Sequence, residues 1–249
     1  MKLLALDTST DTLQLAATDG QQVWQHSGPG GAAASSALIP AILALLAQAG
    51  LRLPQLDAIA FGAGPGSFTG LRTACSVAQG LAFGLNLPLL PVNSLLALAE
   101  QARHQYGVQR VLAVLDARMG EVYAQSYDFE SNIDLAACPG ELLVPDKLPI
   151  PLAWRDQPAS WLLAGNAFAA YGPRLLGSLS SAQQVGLACP LVLPSASAML
   201  RLAPALLGAG AGVAAAQAHP NYVRNRVAQT TQERELARNT KIALQGLAA

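Results

Sequence analysis

Short apolar runs, broken by aspartates and glycines, organise the first third of the chain. "LLALDTST" is an apolar run that ends on Asp7, "DTLQLAAT" alternates apolar and polar, and "DG" turns into "QQVWQHS". Alternation with an Asp-Gly turn predicts antiparallel strands, three of them in a row. "SSALIPAILALLAQAG" then carries a helical period closed by Gly50, with Pro40 expected in its first turn. "QLDAIAFGAG" reads as a buried strand, "SFTGLRTACSVAQGLAFGL" as a helix, "LPLLPV" as a short strand and "NSLLALAEQARHQYG" as a helix capped by Asn93 or Ser94.

The opening plan returns later. "VLAVLDARMGEVYAQSYD" is again an apolar run ending on an aspartate, Asp116, followed by a turn with Gly120 and an alternating strand. Asp7 and Asp19 are twelve positions apart, as are Asp116 and Asp128. The shared order predicts two related α/β lobes, residues 1–105 and 106–249. "WLLAGNAFAAYG" reads as a strand, a Gly-Asn turn and a helix, and "SASAMLRLAPALLGAG" as a helix that Pro204 kinks or restarts. Residues 132–158 have no clear period and several prolines, which predicts an irregular connection, and 206–217 is ambiguous.

Composition narrows the function classes. Fifteen basic residues balance fifteen acidic ones, so the whole chain lacks the basic excess of an autonomous nucleic-acid binder. Residues 73–99 carry no charge, yet glycines, asparagines and prolines cut them into helix, turn and strand, too short to span a bilayer. "MKLLALDTST" meets Asp7 after four apolar residues, which does not build a signal peptide; a cytoplasmic location is expected. Cys75, Cys138 and Cys189 form neither a CxxC pair nor an even framework and read as buried free thiols.

Two stretches carry candidate chemistry. In "GAGPGSFTGLR" a strand runs through glycines into a helix, a geometry that aims backbone N–H groups at an anion; Gly64, Gly66, Ser67 and Gly70 are the candidates. The spacing is neither GxGxxG nor a P-loop, so the same residues also read as a tight corner with Ser67 as N-cap and Phe68 as a packing anchor. In "DTST", Asp7, Thr8 and Ser9 either hold metal-bridged phosphates or satisfy turn N–H groups. Neither choice is decided by the residues alone.

His26, His104 and His219 lack helical metal-site spacing, and no GxSxG elbow occurs, so no metal site and no catalytic nucleophile is expected. Asp116, Arg118 and Glu121 form a polar cluster at the second turn, a structural ion pair or a catalytic group.

"LLALDTST", "GPGSFTGLR", "SVAQGLAFG", "LDARMGEVY" and "PNYVRNRVA", in this order and over nearly the whole chain, resemble the TsaB (YeaZ) family. The resemblance implies an actin-like ATPase (ASKHA, sugar-kinase and Hsp70-type) fold of two lobes, each with a mixed sheet and helices. It implies a non-catalytic companion of TsaD, which transfers threonylcarbamoyl to the adenosine beside the anticodon of ANN-reading tRNAs, with the ATPase TsaE joining the complex. Members tend to carry a histidine one turn before the proline of the first helix; here Ala34 stands in its place.

Residues 28–51 and 73–99 contain helices without charge, and a helix apolar all round is buried or covered by a partner. Leu38, Ile42, Leu45, Arg72, Ala78 and Arg118 are the expected contacts with TsaD, or with a second copy when TsaD is absent. No cofactor is expected to be required, and ATP or ADP held weakly or at the partner interface stays open. tRNA is expected to be met only through the complex, with Arg224, Arg226, Arg234, Arg238 and Lys241 of the C-terminal end as a phosphate-contacting or merely solvated stretch. The competing functions are an independent ATP-using enzyme, with "DTST" and "DARMG" as phosphate turns and "AGNAFAAYG" beside an adenosine, and, last, a peptidase.

Overall fold

The computed structural model describes residues 1–131, 139–148, 161–177 and 190–224. Two sheets divide these residues. The first contains β1 (Leu3–Asp7), β2 (Thr12–Thr18), β3 (Val23–Pro29), β4 (Ala58–Gly64) and β5 (Leu89–Asn93) in the order β3-β2-β1-β4-β5. The second contains β6 (Arg110–Arg118), β7 (Glu121–Asp128), β8 (Glu141–Leu143) and β9 (Trp161–Ala164) in the order β8-β7-β6-β9. In each, the first strand pairs antiparallel with the next and parallel with the strand that follows a crossover. This repeated mixed sheet is the actin-like plan. β8 falls in the stretch without a readable period and was not expected.

The echo between the lobes extends to single atoms. Asp7 Oδ1 accepts the Ser9 N–H at 3.0 Å, and Asp116 Oδ1 accepts the Arg118 N–H at 2.8 Å. Asp19 Oδ1 accepts Gln21 N–H at 2.8 Å, and Asp128 Oδ1 accepts Glu130 N–H at 3.0 Å. All four aspartates close the chain on the residue two positions ahead, which explains why an aspartate stands at each of these turns.

All five residues of β1 are buried because the strand is covered on both faces. Leu4 and Leu6 face a core shared with α1 (Ala34–Gln48) and α2 (Phe68–Phe83). Leu3 and Ala5 face a second core with Met199, Leu200 and Ala203 of the helix that we number α5 (Ala196–Gly208). α3 (Ser94–Tyr106), capped by Asn93 through Leu95 N–H, packs instead on β6 and β7 of the second lobe. α3 and α5 meet between the sheets, where the buried Glu100 carboxylate takes Arg103 at 2.6 Å and Arg201 at 2.8 Å. α4 (Ala167–Tyr171) follows β9.

Two prolines behave differently from the sequence expectation. Pro40 lies inside α1, whose first turn begins six residues earlier, and Pro204 lies inside one continuous α5, so the helix does not restart there. In α1 the proline stands on the exposed side, and a 3-10 turn at Gly31–Ala33 leads into the helix. The stretch Gly31–Gln48 is long and apolar enough by length and composition to cross a membrane, with 28% of it buried. Residues 73–99 form helix, turn, strand and the start of α3, as their punctuation predicts.

Candidate functional site

A cleft of about 400 Å³ opens between the lobes. Its first-lobe wall is the β1–β2 turn and the glycine loop at the start of α2; its second-lobe wall is the β6–β7 turn with Asn166; residues 221–224 close one side.

The glycine loop is spent on the protein itself. Ser67 N–H donates to Ser9 O at 2.7 Å, Thr8 Oγ1–H donates to Gly70 O at 2.6 Å, and Ser67 Oγ caps α2 by accepting Gly70 N–H at 3.4 Å. A β-carbon on Gly66 would stand 2.5 Å from Ser9 O, and one on Gly70 would collide with Thr8 O. Gly64, with φ +113°, would bring a β-carbon to 2.6 Å from Asn221 O. Gly64, Gly66 and Gly70 permit close approach of protein backbone, and Ser67 caps α2.

Asp7, Thr8 and Ser9 do come together with that loop, but they divide in role. Ser9, Gly66 and Ser67 line the cleft, whereas Asp7, Thr8, Gly64 and Gly70 lie behind it. The Asp7 carboxyl is fully buried: Oδ1 accepts Ser9 Oγ–H at 2.8 Å, while Oδ2 packs against Gly62 and the Met199 methyl without a hydrogen-bond partner among the described residues. Burial pushes its pKa up to about 6, against the lowering effect of the Ser9 hydrogen bonds.

The second-lobe turn is an ion-pair cluster. Arg118 reaches Asp11 of the first lobe at 2.9 Å and Asp116 at 3.2 Å. Tyr171 Oη lies 2.8 Å from Asp116 Oδ1, and Asn166 Oδ1 accepts Asp116 N–H at 2.8 Å. Arg118 and Met119 both have left-handed backbone, φ 63° and 57°, which turns their side chains into the cleft rim. Glu121 binds Arg224 at 2.6 Å. The structural ion-pair reading of Asp116, Arg118 and Glu121 thus describes their contacts. Among the described residues no group of three His, Cys, Asp or Glu is arranged to hold a metal.

The expected partner contacts need correction. Leu38, Ile42, Leu45 and Ala78 are at most 1% exposed and belong to the core beneath the first sheet. The i, i+4 and i, i+3 spacing of Leu38, Ile42 and Leu45 is the inward stripe of α1, and Ala78 lies on the buried face of α2, so the surface expected to meet a partner is already covered within the chain. The outward residues of the same helix are Ile39, 47% exposed, and Leu43, 51%, joined at the end of α2 by Phe83, 76%. Arg72 and Arg118 are exposed as expected, Arg72 stacked 3.8 Å over Phe68 and donating to Tyr222 Oη at 3.0 Å.

Asp11, Tyr171 and Tyr222 are not among the residues expected from the sequence, and Arg224, expected to contact phosphate or stand solvated, is instead largely buried against Glu121. Tyr222 and Arg224 lie about 150 and 103 positions from their partners Arg72 and Glu121, beyond reach of any local pattern. Cys75 is buried and its thiol is pushed up in pKa by burial. Cys138, Cys189 and the basic residues beyond Arg224 lie outside the described residues.

The geometry has close relatives. The chain is 34% identical to the tRNA threonylcarbamoyladenosine biosynthesis protein TsaB of Escherichia coli, over 92% of this chain and 96% of that one. The chain belongs to the TsaB (YeaZ) family. The Haemophilus influenzae TsaB is 32% identical over 91% of this chain and 95% of its own. The solved structure of YeaZ from Pseudomonas aeruginosa superposes with a TM-score of 0.78 at 37% identity, covering 89% of this chain and 99% of that one. Residues 26–148 match the family model described as TsaD, tRNA N6-adenosine threonylcarbamoyltransferase. That match spans α1, α2 and the first strands of the second lobe, so TsaB-family chains and TsaD share this part of the fold.

Proposed function

We propose that the chain is a companion subunit for TsaD in the synthesis of threonylcarbamoyladenosine on tRNA, without catalysis of its own. Family membership supports the pathway. The partner reading is carried by one observation: Ile39, Leu43 and Phe83 present bulky apolar side chains to solvent from a region whose inner faces are already packed. Covering such side chains removes about 25 cal/mol per Å² of apolar surface from water. TsaD is the occupant that fits, because it shares the α1–α2 region and so offers a similar apolar helix pair for near-symmetric packing. The same symmetry admits a homodimer when TsaD is absent.

Within this reading TsaE joins the TsaD-bound assembly, tRNA is contacted through the complex, the site of action is the cytoplasm, and no nucleotide is required by the chain. Ser67 N–H, Gly70 N–H and the cleft arginines Arg118 and Arg224 are engaged by protein partners, which narrows the binding chemistry left to the independent-enzyme alternative. Size exclusion with TsaD tests the interface. Leu43→Asp should elute separately from TsaD with an unaltered circular dichroism spectrum; co-elution of that variant, at wild-type affinity, would remove the α1–α2 face as the docking site.

A further inference from the structure

The segment 215–224 joins the lobes from outside the sheets. It is fastened to the first lobe at several points. Gln79 Nε2 donates to Ala215 O at 3.0 Å and to Ala218 O at 2.9 Å, and Asn221 N–H donates to Ala63 O at 2.6 Å at the end of β4. Tyr222 then lies over Phe68, with ring centroids 4.9 Å apart, and accepts from Arg72. Gly64 has no room for a β-carbon, which would meet the Asn221 carbonyl oxygen, and its φ of +113° favours glycine independently.

Arg224 ties the segment to the other lobe by charge, next to Val223, which packs against the second-lobe core. The Arg224 side chain is 11% exposed, and its guanidinium meets Glu121 Oε2 at 2.6 Å, Arg118 O at 3.3 Å and Met119 Sδ at 3.0 Å. All three partners belong to the left-handed β6–β7 turn, the same turn that Arg118 ties to Asp11 on the other side of the cleft. A charge-assisted contact of this length, largely shielded from solvent, is worth more than the exposed Arg118–Asp11 pair.

We propose that residues 215–224 are a latch that fixes the opening of the inter-lobe cleft, with Arg224 as the charged group that engages the second lobe. The latch stands apart from the TsaD reading, since it uses the cleft side of α2 and the second lobe and not the outward face of α1. Tyr222, Val223 and Arg224 form one wall of the cleft, so anything that fills the cavity bears on the latch, and anything that lifts the latch widens the cavity. The glycine loop and the strap are one construction: the loop is shaped to seat the strap.

Amide hydrogen exchange of the full chain tests this. Arg224→Ala should raise exchange on the order of tenfold in the two cleft turns, residues 8–12 and 116–121, with β1 and β6 unchanged. Glu121→Gln, which keeps the shape and removes the charge, should produce the same local rise. Combining the two should add little to the Arg224→Ala effect, because that variant already removes the ion pair that Glu121→Gln weakens. Wild-type exchange in both single variants would overturn the latch, and so would a rise that spreads through β6 or additive effects in the double variant.

Discussion

Asp7 and Asp116 occupy the same turn of the two lobes, and their carboxylates meet opposite environments. Each accepts the N–H two residues ahead, from Ser9 and Arg118. Asp116 keeps Tyr171 and an arginine beside it, whereas Asp7 is sealed against Gly62 and Met199 with one oxygen unpaired among the described residues. The duplicated plan has retained the turn and separated the electrostatics.

The pH dependence of stability follows from that seal. Asp7 holds its proton up to about pH 6 in the folded chain, against 3.8 ordinarily, so the folded state binds more protons across that interval and stability falls as pH rises through it. Asp7→Asn keeps the acceptor for Ser9 and removes the charge. The variant should gain on wild type by up to roughly 3 kcal/mol between about pH 4 and above pH 6, read from urea unfolding at several pH values. A constant difference across the range would mean that the carboxyl titrates normally.

The glycine loop makes a steric prediction. Gly66→Ala and Gly70→Ala press a methyl into Ser9 O and Thr8 O, backbone atoms of the turn that follows β1. Each should cost on the order of 3 kcal/mol, and added phosphate or nucleotide should not restore the melting temperature. Stabilisation of wild type by millimolar phosphate, lost in Gly66→Ala, would return the loop to anion binding.

Much of this was legible in the sequence. β1 to β5, the Asn93 and Ser67 caps and the duplicated aspartates follow from short-range patterns, because turns and caps are decided within a few residues. What failed was long-range. The absence of charge predicts that α1 is buried or covered by a partner, yet its period alone does not say which stripe β2 and β3 cover; that stripe is Leu38, Ile42 and Leu45, which leaves Ile39 and Leu43 outward. The strap contacts of Tyr222 and Arg224 join residues more than a hundred positions apart and leave no local pattern.

The corrected stripe separates two kinds of variant. Leu45→Ala should lose about 2–5 kcal/mol of stability, since its side chain is buried in the main core. Leu43→Ala should change stability by less than about 0.5 kcal/mol while weakening the complex with TsaD. Chemical denaturation and titration calorimetry with TsaD read the two effects apart.

Ion pairs should rank by burial. Arg118→Ala removes contacts to Asp11 and Asp116 from an exposed position and should cost under about 1 kcal/mol, less in high salt. Glu100→Ala removes the buried shared partner of Arg103 and Arg201, which are themselves partly exposed, and should cost about 1–3 kcal/mol. Equal losses in thermal unfolding would show that the α3–α5 contact does not depend on the buried carboxylate.

The companion role is tested most directly by threonylcarbamoyl transfer to tRNA with TsaD, TsaE and the enzyme that makes threonylcarbamoyl-adenylate, with and without the chain. Transfer should require the wild-type chain and fail with Leu43→Asp, while the chain alone should turn over neither ATP nor peptide. Full transfer without the chain, or with Leu43→Asp in its place, would contradict the account.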